Sequence, residues 1–224
     1  MVETVDVIGR GRVGAAIAAR LAQRGVTLAA EGADLVLLCV PDSAIADAAR
    51  SLEPGPWVAH VSGATPLAAL EPHTRRFSVH PLQTFTRARG PDQLDGAWAA
   101  VSAESDEALA LGFELAELLA LKPFELADAE RALYHAGAVV ASNYLVTLRE
   151  AAAELLRGAG APPEALEPLM LRTIENGFEL TGPIARGDWD TVDLHVRTIR
   201  ARRPQLEALY RVLADATATL AAVA

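Results

Sequence analysis

The sequence predicts an α/β fold: a parallel, doubly wound sheet over residues 1–127, followed by an all-helical half over 128–224. Two observations predict it. Up to Ala127, short apolar or β-branched runs alternate with amphipathic stretches, the pattern of successive βαβ units. From Asp128 onward the apolar period is helical throughout, with punctuation only at Gly158–Pro163 and Leu180–Gly187.

The elements follow in order. Val5–Ile8 reads as a buried strand, and Arg12–Arg24 as a helix carrying Val13, Ile17 and Leu21 on one face, stopped by Gly25. Leu35–Val40 is an uninterrupted apolar run suited to the middle of a parallel sheet. Ala44–Leu52 is the next helix, with Asp42 or Ser43 as candidate N-caps. Further strands are expected at Trp57–Val61, Arg76–Val79, Ala97–Ser102 and Lys122–Leu126, with a helix at Glu104–Leu121. The second half predicts an unbroken helical stretch from Asp128 to Arg157, then helices over Pro163–Glu179, Asp188–Arg203 and Pro204–Val223. Asp188 reads as an N-cap.

Composition narrows the function classes. Hydrophobic residues make up 51% and the net charge is −9, the balance of a globular chain without the basic footprint of a nucleic-acid binder. The basic group Arg197, Arg200, Arg202 and Arg203 reads as a solvated helix end. The single cysteine, Cys39, lies inside LVLLCV and reads as a small buried hydrophobe in a reducing, cytoplasmic setting. The N-terminus lacks the look of a signal peptide, and no apolar run approaches the ~18 residues of a membrane span.

Gly9-Arg10-Gly11-Arg12-Val13-Gly14 fits G-x-G-x-x-G in the required context, after a strand and opening a helix. Gly9 permits the tight turn, Gly11 lets backbone approach a pyrophosphate, and Gly14 lets helix and strand pack. This is the phosphate-binding turn of a Rossmann-type fold, with Val40 and Pro41 at the next strand end completing the cofactor edge. Such sites place an acidic or basic residue after a second strand to hold the adenosine ribose, and Glu31 stands near that position. Yet only Gly32-Ala33-Asp34 separate it from Leu35–Val40. A few residues cannot cross from the top of one full strand to the bottom of another. Val26–Ala30 is therefore either a stub, with Leu35–Val40 pairing directly beside the first strand, or a strand in a non-parallel arrangement. The Rossmann-type sheet is truncated in either case.

Taken together, GRGRVG, ADLVLLCVPD, VAHVSGA, HPLQTF, YHAGAVVASNYLVTL and LTGPIARGD resemble a family of Rossmann-like proteins whose C-terminal half is a domain of unknown function. Its members are described as NADP- or deazaflavin-dependent oxidoreductases, among relatives that include 6-phosphogluconate dehydrogenase and ketopantoate reductase. The resemblance implies a 6-phosphogluconate dehydrogenase-like helical domain for substrate binding and dimerisation. It also implies NADP, NAD or deazaflavin as cofactor and a small anionic substrate, an oxo or imino acid such as ketopantoate. The sequence departs from the family between Gly25 and Asp34.

Candidate chemistry lies at strand ends and on the first long helix. Ser62-Gly63 resembles a substrate-carboxylate loop, or is an ordinary turn. His80, held extended by Pro81, is placed to act as acid, base or anion ligand near neutral pH. His60 points to the same strand face as Ser62. On the helix, His135, Ser142 and Asn143 fall on one side, and His135 stands where related enzymes use Lys or His to protonate a carbonyl. Lys122, the only lysine, precedes the helix. An Asn buried in an apolar helix needs a hydrogen-bond partner, which gives Asn143 at least a structural task. Arg186 is a candidate clamp for an anionic substrate group. His60, His80 and His135 are alternatively a three-histidine metal site. The functional expectation is a nicotinamide-dependent oxidoreductase, catalytic through His135, His80 and Asn143. The alternatives are a non-catalytic binding protein that has lost its dinucleotide, or a metal enzyme. Broad apolar faces at Ala136–Leu148 and Leu206–Leu220 predict a homodimer.

Overall fold

The computed structural model describes residues 2–222; Val223, the expected end of the last helix, lies outside the described residues. Seven strands form one sheet: β1 (Thr4–Ile8), β2 (Thr27–Leu28), β3 (Leu35–Leu38), β4 (Trp57–His60), β5 (Arg76–Pro81), β6 (Trp98–Ala103) and β7 (Lys122–Glu125), in the order β2-β1-β3-β4-β5-β6-β7. The truncated Rossmann-type α/β fold is as the sequence predicts. Apolar side chains cover both sheet faces. Val5, Val7, Leu35, Leu37, Ala59, Phe77 and Val79 pack with α1 (Arg12–Gln23) and α3 (Asp106–Leu118), while Val36, Leu38 and Val58 pack with α2 (Ile45–Arg50).

The region after α1 resolves as the stub. Strand β2 is two residues long and parallel to β1, and β3 pairs parallel with β1 on its other side. Leu28 and Leu35 both stand opposite Val5, so the link between them has no strand length to climb. It passes around the N-terminal end of β1. Asp34 N–H donates to the Thr4 carbonyl at 2.9 Å, and the Asp34 carboxylate accepts from the Glu3 and Thr4 N–H groups at 3.0 and 2.9 Å.

Three expectations are corrected. The sheet is not wholly parallel, because β6 runs antiparallel to β5. The intervening chain is spent on a loop and one 3₁₀ turn, Pro91–Leu94, so no helix returns it to the other end of the sheet. Neither Asp42 nor Ser43 caps α2: both lie in a 3₁₀ turn, Asp42–Ala44, and α2 starts without a side-chain cap. The helical stretch after Asp128 is broken. A 3₁₀ turn at Asp128–Glu130 leads into α4 (Arg131–Ala141), Ser142 sits at φ −117° and ψ −72°, and α5 runs Asn143–Ala159. The Ser142 hydroxyl donates to the Ala138 carbonyl at 2.6 Å, a side-chain bond that competes with the helix ladder.

The chain separates into two compact units, one ending at Ser142 and one starting at Asn143. Helix α4, expected in the helical half, belongs to the first unit. The second unit contains α5, α6 (Leu166–Glu175), α7 (Trp189–Arg202) and α8 (Glu207–Ala221). Asp188 caps α7, accepting from the Thr191 N–H at 3.2 Å and from its hydroxyl at 2.8 Å. The basic cluster there is engaged within the unit: Arg200 pairs with Glu207, Arg202 donates to the Gly158 carbonyl and Arg203 lies 3.6 Å from Glu154.

Candidate functional site

Two groups of residues meet the C-terminal edge of the first unit's sheet, where ligands of open α/β sheets bind.

The first is the glycine turn. Gly9 has φ +102°, and a Cβ there would lie 2.5 Å from the Cys39 carbonyl oxygen; one on Gly14 would lie 2.0 Å from the Gly9 carbonyl oxygen. Both positions exclude any side chain, as the motif requires. Gly11 differs: a Cβ there would meet nothing within 4 Å. The open space faces the start of α1, which has no side-chain cap and no acidic residue in its first turn. This half of the site fits a pyrophosphate. Val13 is half-buried against the core, Val40 packs on the α2 side of the sheet, and Pro41 is exposed after β3. Burial pushes the Cys39 thiol up to about 12, so it is an inert packing group.

The adenosine half does not fit. Glu31 lies in the link that rounds the N-terminal end of β1, whereas Gly9 follows the C-terminal end. The residue expected at the ribose is therefore a strand's length from the phosphate turn.

The second group lies over β4, β5 and β6. Strand register puts His60 opposite Ser78, and Ser78 opposite Ser102. Arg131, at the start of α4 and 1% exposed, reaches down onto this row. Its guanidinium donates to Ser102 Oγ at 2.9 Å, to Ser78 Oγ at 2.6 Å and to the Ser62 carbonyl, with the Asp128 carboxylate 3.8 Å from Nε. Asp128 also accepts from the Leu67 N–H at 3.1 Å. One buried cation thus ties the Ser62-Gly63 turn, two strands and α4 together. The Ser62 hydroxyl closes its own turn, donating to Thr65 Oγ1 at 2.9 Å and accepting from the Thr65 N–H at 3.0 Å.

His60 is fully buried; its Nδ1 accepts from the Ser62 N–H at 3.2 Å, and its Nε2 has no partner. Burial, then the Arg131 charge and His80, lowers its pKa to about 3. His60 therefore stays neutral and supports the turn from below. His80 is half-buried. Its Nδ1 lies 2.8 Å from the Tyr134 hydroxyl, and its ring centroid 6.2 Å from that of His135. Burial, then His135 and Arg131, lowers the His80 pKa to about 4, against a smaller opposing pull from Asp42. Burial raises the Tyr134 phenol to about 12. Gly63 is the floor between the two rings: a Cβ on it would lie 2.7 Å from His135 Cδ2 and 2.8 Å from His80 Cε1.

The structure thus brings His60, Ser62, Gly63, His80 and His135 together. Ser142 ends the first unit, and Asn143 and Arg186 belong to the second. Asn143 and Arg186 are exposed, so the expected buried Asn is not found. Among the described residues no group of three His, Cys, Asp or Glu is placed to hold a metal ion, and Nδ1 of both His60 and His80 is engaged within the protein. Sequence reasoning missed Arg131 and Tyr134. Positions 131, 134 and 135 share a helix face at i, i+3 and i+4 spacing, a signal present once His135 is singled out.

Residues 97–217, more than half of the chain, match the family model described as a domain of unknown function, DUF2520. The chain belongs to the DUF2520 family. No curated protein matches it. Among solved structures, the DUF2520 chain is similar in fold to a "putative NADP oxidoreductase" from Bacteroides fragilis, with TM-score 0.80 and 23% identity, covering 97% of this chain and 98% of that one. It is similar to a protein from Thermotoga maritima, with TM-score 0.77, 22% identity and 99% and 92% coverage. It is also similar to a reductive aminase from Aspergillus terreus in complex with NADPH and ethyl levulinate, with TM-score 0.65, 15% identity and 97% and 93% coverage. Among the described residues, no helix is long and apolar enough to cross a membrane.

Proposed function

We propose that this chain is a nicotinamide-dependent reductase of a small oxo or imino acid, with ketopantoate-like compounds as the first substrates to try. One observation carries the reading. Two imidazoles, one held neutral and hydrogen-bonded to a phenol, converge on a side-chain-free glycine at the same sheet edge as a phosphate turn that fits a pyrophosphate. The fold shared with NADPH-bound reductases supports it.

In this reading Gly9–Gly14, with Val40 and Pro41, holds the cofactor. When bound, the nicotinamide supplies a hydride to the substrate carbon. His135, whose ring nitrogens have no hydrogen-bond partner among the described residues, donates the proton that the carbonyl oxygen or imine nitrogen takes up. With the Tyr134 hydroxyl as donor in its 2.8 Å contact with His80 Nδ1, the ring proton of neutral His80 sits on Nε2 beside Gly63, where it orients the substrate. His60 and Ser62 set the height of that glycine. Asn143, Ser142 and Arg186 remain candidate substrate contacts, and NADP, NAD and deazaflavin remain candidate cofactors. The helical unit carries exposed apolar side chains, among them Leu169, Leu171, Ile174 and Phe178, which supports a homodimer.

The test is oxidation of NADPH and NADH by the purified chain against a panel of small oxo and imino acids. Turnover that falls in His135→Gln and Tyr134→Phe supports the reading. Absence of turnover together with absence of cofactor binding overturns it. One observation favours a second reading, a binding protein without hydride chemistry: Glu31 stands at the wrong end of β1. A folded chain that neither binds NADPH or NADH nor turns over any compound of the panel would favour it.

A further inference from the structure

Among the described residues of the first unit, Trp98 is the one exposed Trp, Tyr or Phe; it is 53% exposed, whereas Trp57, Phe77 and Phe85 are buried. Its place follows from the sheet. Strand β6 runs antiparallel to β5, so Trp98, its first residue, stands at the C-terminal edge of β5, the edge that carries His80. Residues opposite each other in a ladder share a sheet face, as do residues two apart on a strand. His80 is opposite Ala100, Ala100 is opposite Phe124, and Trp98 is opposite Lys122. Trp98, Phe124 and Lys122 therefore lie on the face of His80, Ser78 and Ser102, onto which Arg131 reaches.

Rings run along that face without a break. His80 meets Tyr134, Tyr134 meets Phe124 and Phe124 meets Trp98, with centroids 5.5, 6.0 and 6.2 Å apart and each pair edge to face. The Lys122 ammonium lies 5.9 Å from the Trp98 ring centroid, a cation–π contact that orients the indole. Leu82, also exposed, is tied to the same place, its N–H donating to the Trp98 carbonyl at 2.7 Å. By strand rise and spacing, the Cα atoms of Trp98 and His80 are about 8 Å apart. An indole supported on one side and open on the other is surface for a ligand to cover. One aromatic ring covers ~150–250 Å², whereas a standard protein interface needs ~800 Å² from each partner. The patch of Trp98 and Leu82 is on the scale of the first.

We propose that Trp98 is a specificity-determining residue that selects aromatic oxo or imino acids. The substrate's ring packs on the indole while its carbonyl or imine carbon sits at Gly63, between His80 and His135. The inference rests on the reductase reading for the reaction and narrows its substrate class. The ring site itself stands on the row from Trp98 to His80.

Two measurements on the purified chain test it. The first is calorimetric binding of phenyllactate against lactate with NADPH present, a pair that NADPH cannot reduce. The second is kcat/KM for phenylpyruvate against pyruvate. Phenyllactate is expected to bind roughly 10-fold or more tightly than lactate. Trp98→Ala is expected to bring the two acids to similar affinities, and Trp98→Phe to keep most of the preference. NADPH affinity is expected to be the same in all three chains. No binding of phenyllactate, equal binding of the two acids by the parent, or an unchanged preference in Trp98→Ala overturns the proposal. An unchanged preference together with a fall in oligomeric mass would give the face to a second copy instead. Preferential binding of phenyllactate without turnover of phenylpyruvate supports the ring site while the reductase reading fails. Turnover of pyruvate and phenylpyruvate with equal kcat/KM leaves the reductase reading intact while this one fails.

Discussion

The two sides of β1 are built to different standards. Towards β3, β4 and β5, full parallel strands end in a row of functional groups, tied together by a fully buried Arg131. Towards β2 there is a two-residue strand and a link that turns back below β1. In an ordinary dinucleotide fold the first side serves the reacting ring and the second the adenosine. This chain keeps the phosphate turn between them and omits the structure that would recognise adenosine. Affinity for a dinucleotide must then come from its phosphates, and selectivity from the side of β1 that holds the histidines.

The largest expected effect lies at the junction of the two sides. Gly14→Ala forces a Cβ to within 2.0 Å of the Gly9 carbonyl oxygen, and backbone must move. A loss of about 3–5 kcal/mol of stability is expected, read as a collapsed melting temperature or insoluble protein. Gly11→Ala, whose Cβ would meet nothing within 4 Å, melts near the parent temperature.

Next is Arg131→Met, which keeps the volume and removes the cation over Ser62, Ser78 and Ser102. It strands buried hydroxyl and carbonyl groups, so a cost of about 2–4 kcal/mol is expected in chemical denaturation. A variant as stable as the parent would show that the well-built side of β1 does not depend on this network.

Mild acid acts on the same side through its histidines. His60 and His80 have folded pKa values lowered to about 3 and about 4, below the ~6.5 of an unfolded histidine. Above pH ~6.5 both are neutral in either state, and their contribution is fully present. As pH falls from ~6.5 towards 4, the unfolded chain takes up protons that the folded chain refuses, and stability drops. His60→Gln, which removes one of the two titrations, is expected to flatten the slope of melting temperature against pH in that window.

How much of this was legible in the sequence follows the same division. The strand–turn–helix at Thr4–Gln23 was readable because steric rules fix where glycine must sit, and the stub was readable because a few residues span a fixed maximum length. His80 was readable from the proline behind it. The antiparallel β6 was not, since the link between β5 and β6 carries no marker of strand direction. Arg131 and Tyr134 were not, because a helical arginine ordinarily points to water; only the serines at Ser62, Ser78 and Ser102, far apart in sequence, turn this one inward.

The smallest expected effect is that of Glu31→Ala, since Glu31 lies at the opposite end of β1 from the phosphate turn. Titration with NADPH, followed by nicotinamide fluorescence, of the parent chain, Glu31→Ala and Gly11→Val is the decisive measurement. The parent and Glu31→Ala are expected to bind NADPH equally, and Gly11→Val, whose side chain fills the space in front of the phosphate turn, is expected not to bind it. No binding by the parent chain, or loss of binding in Glu31→Ala, would contradict this expectation.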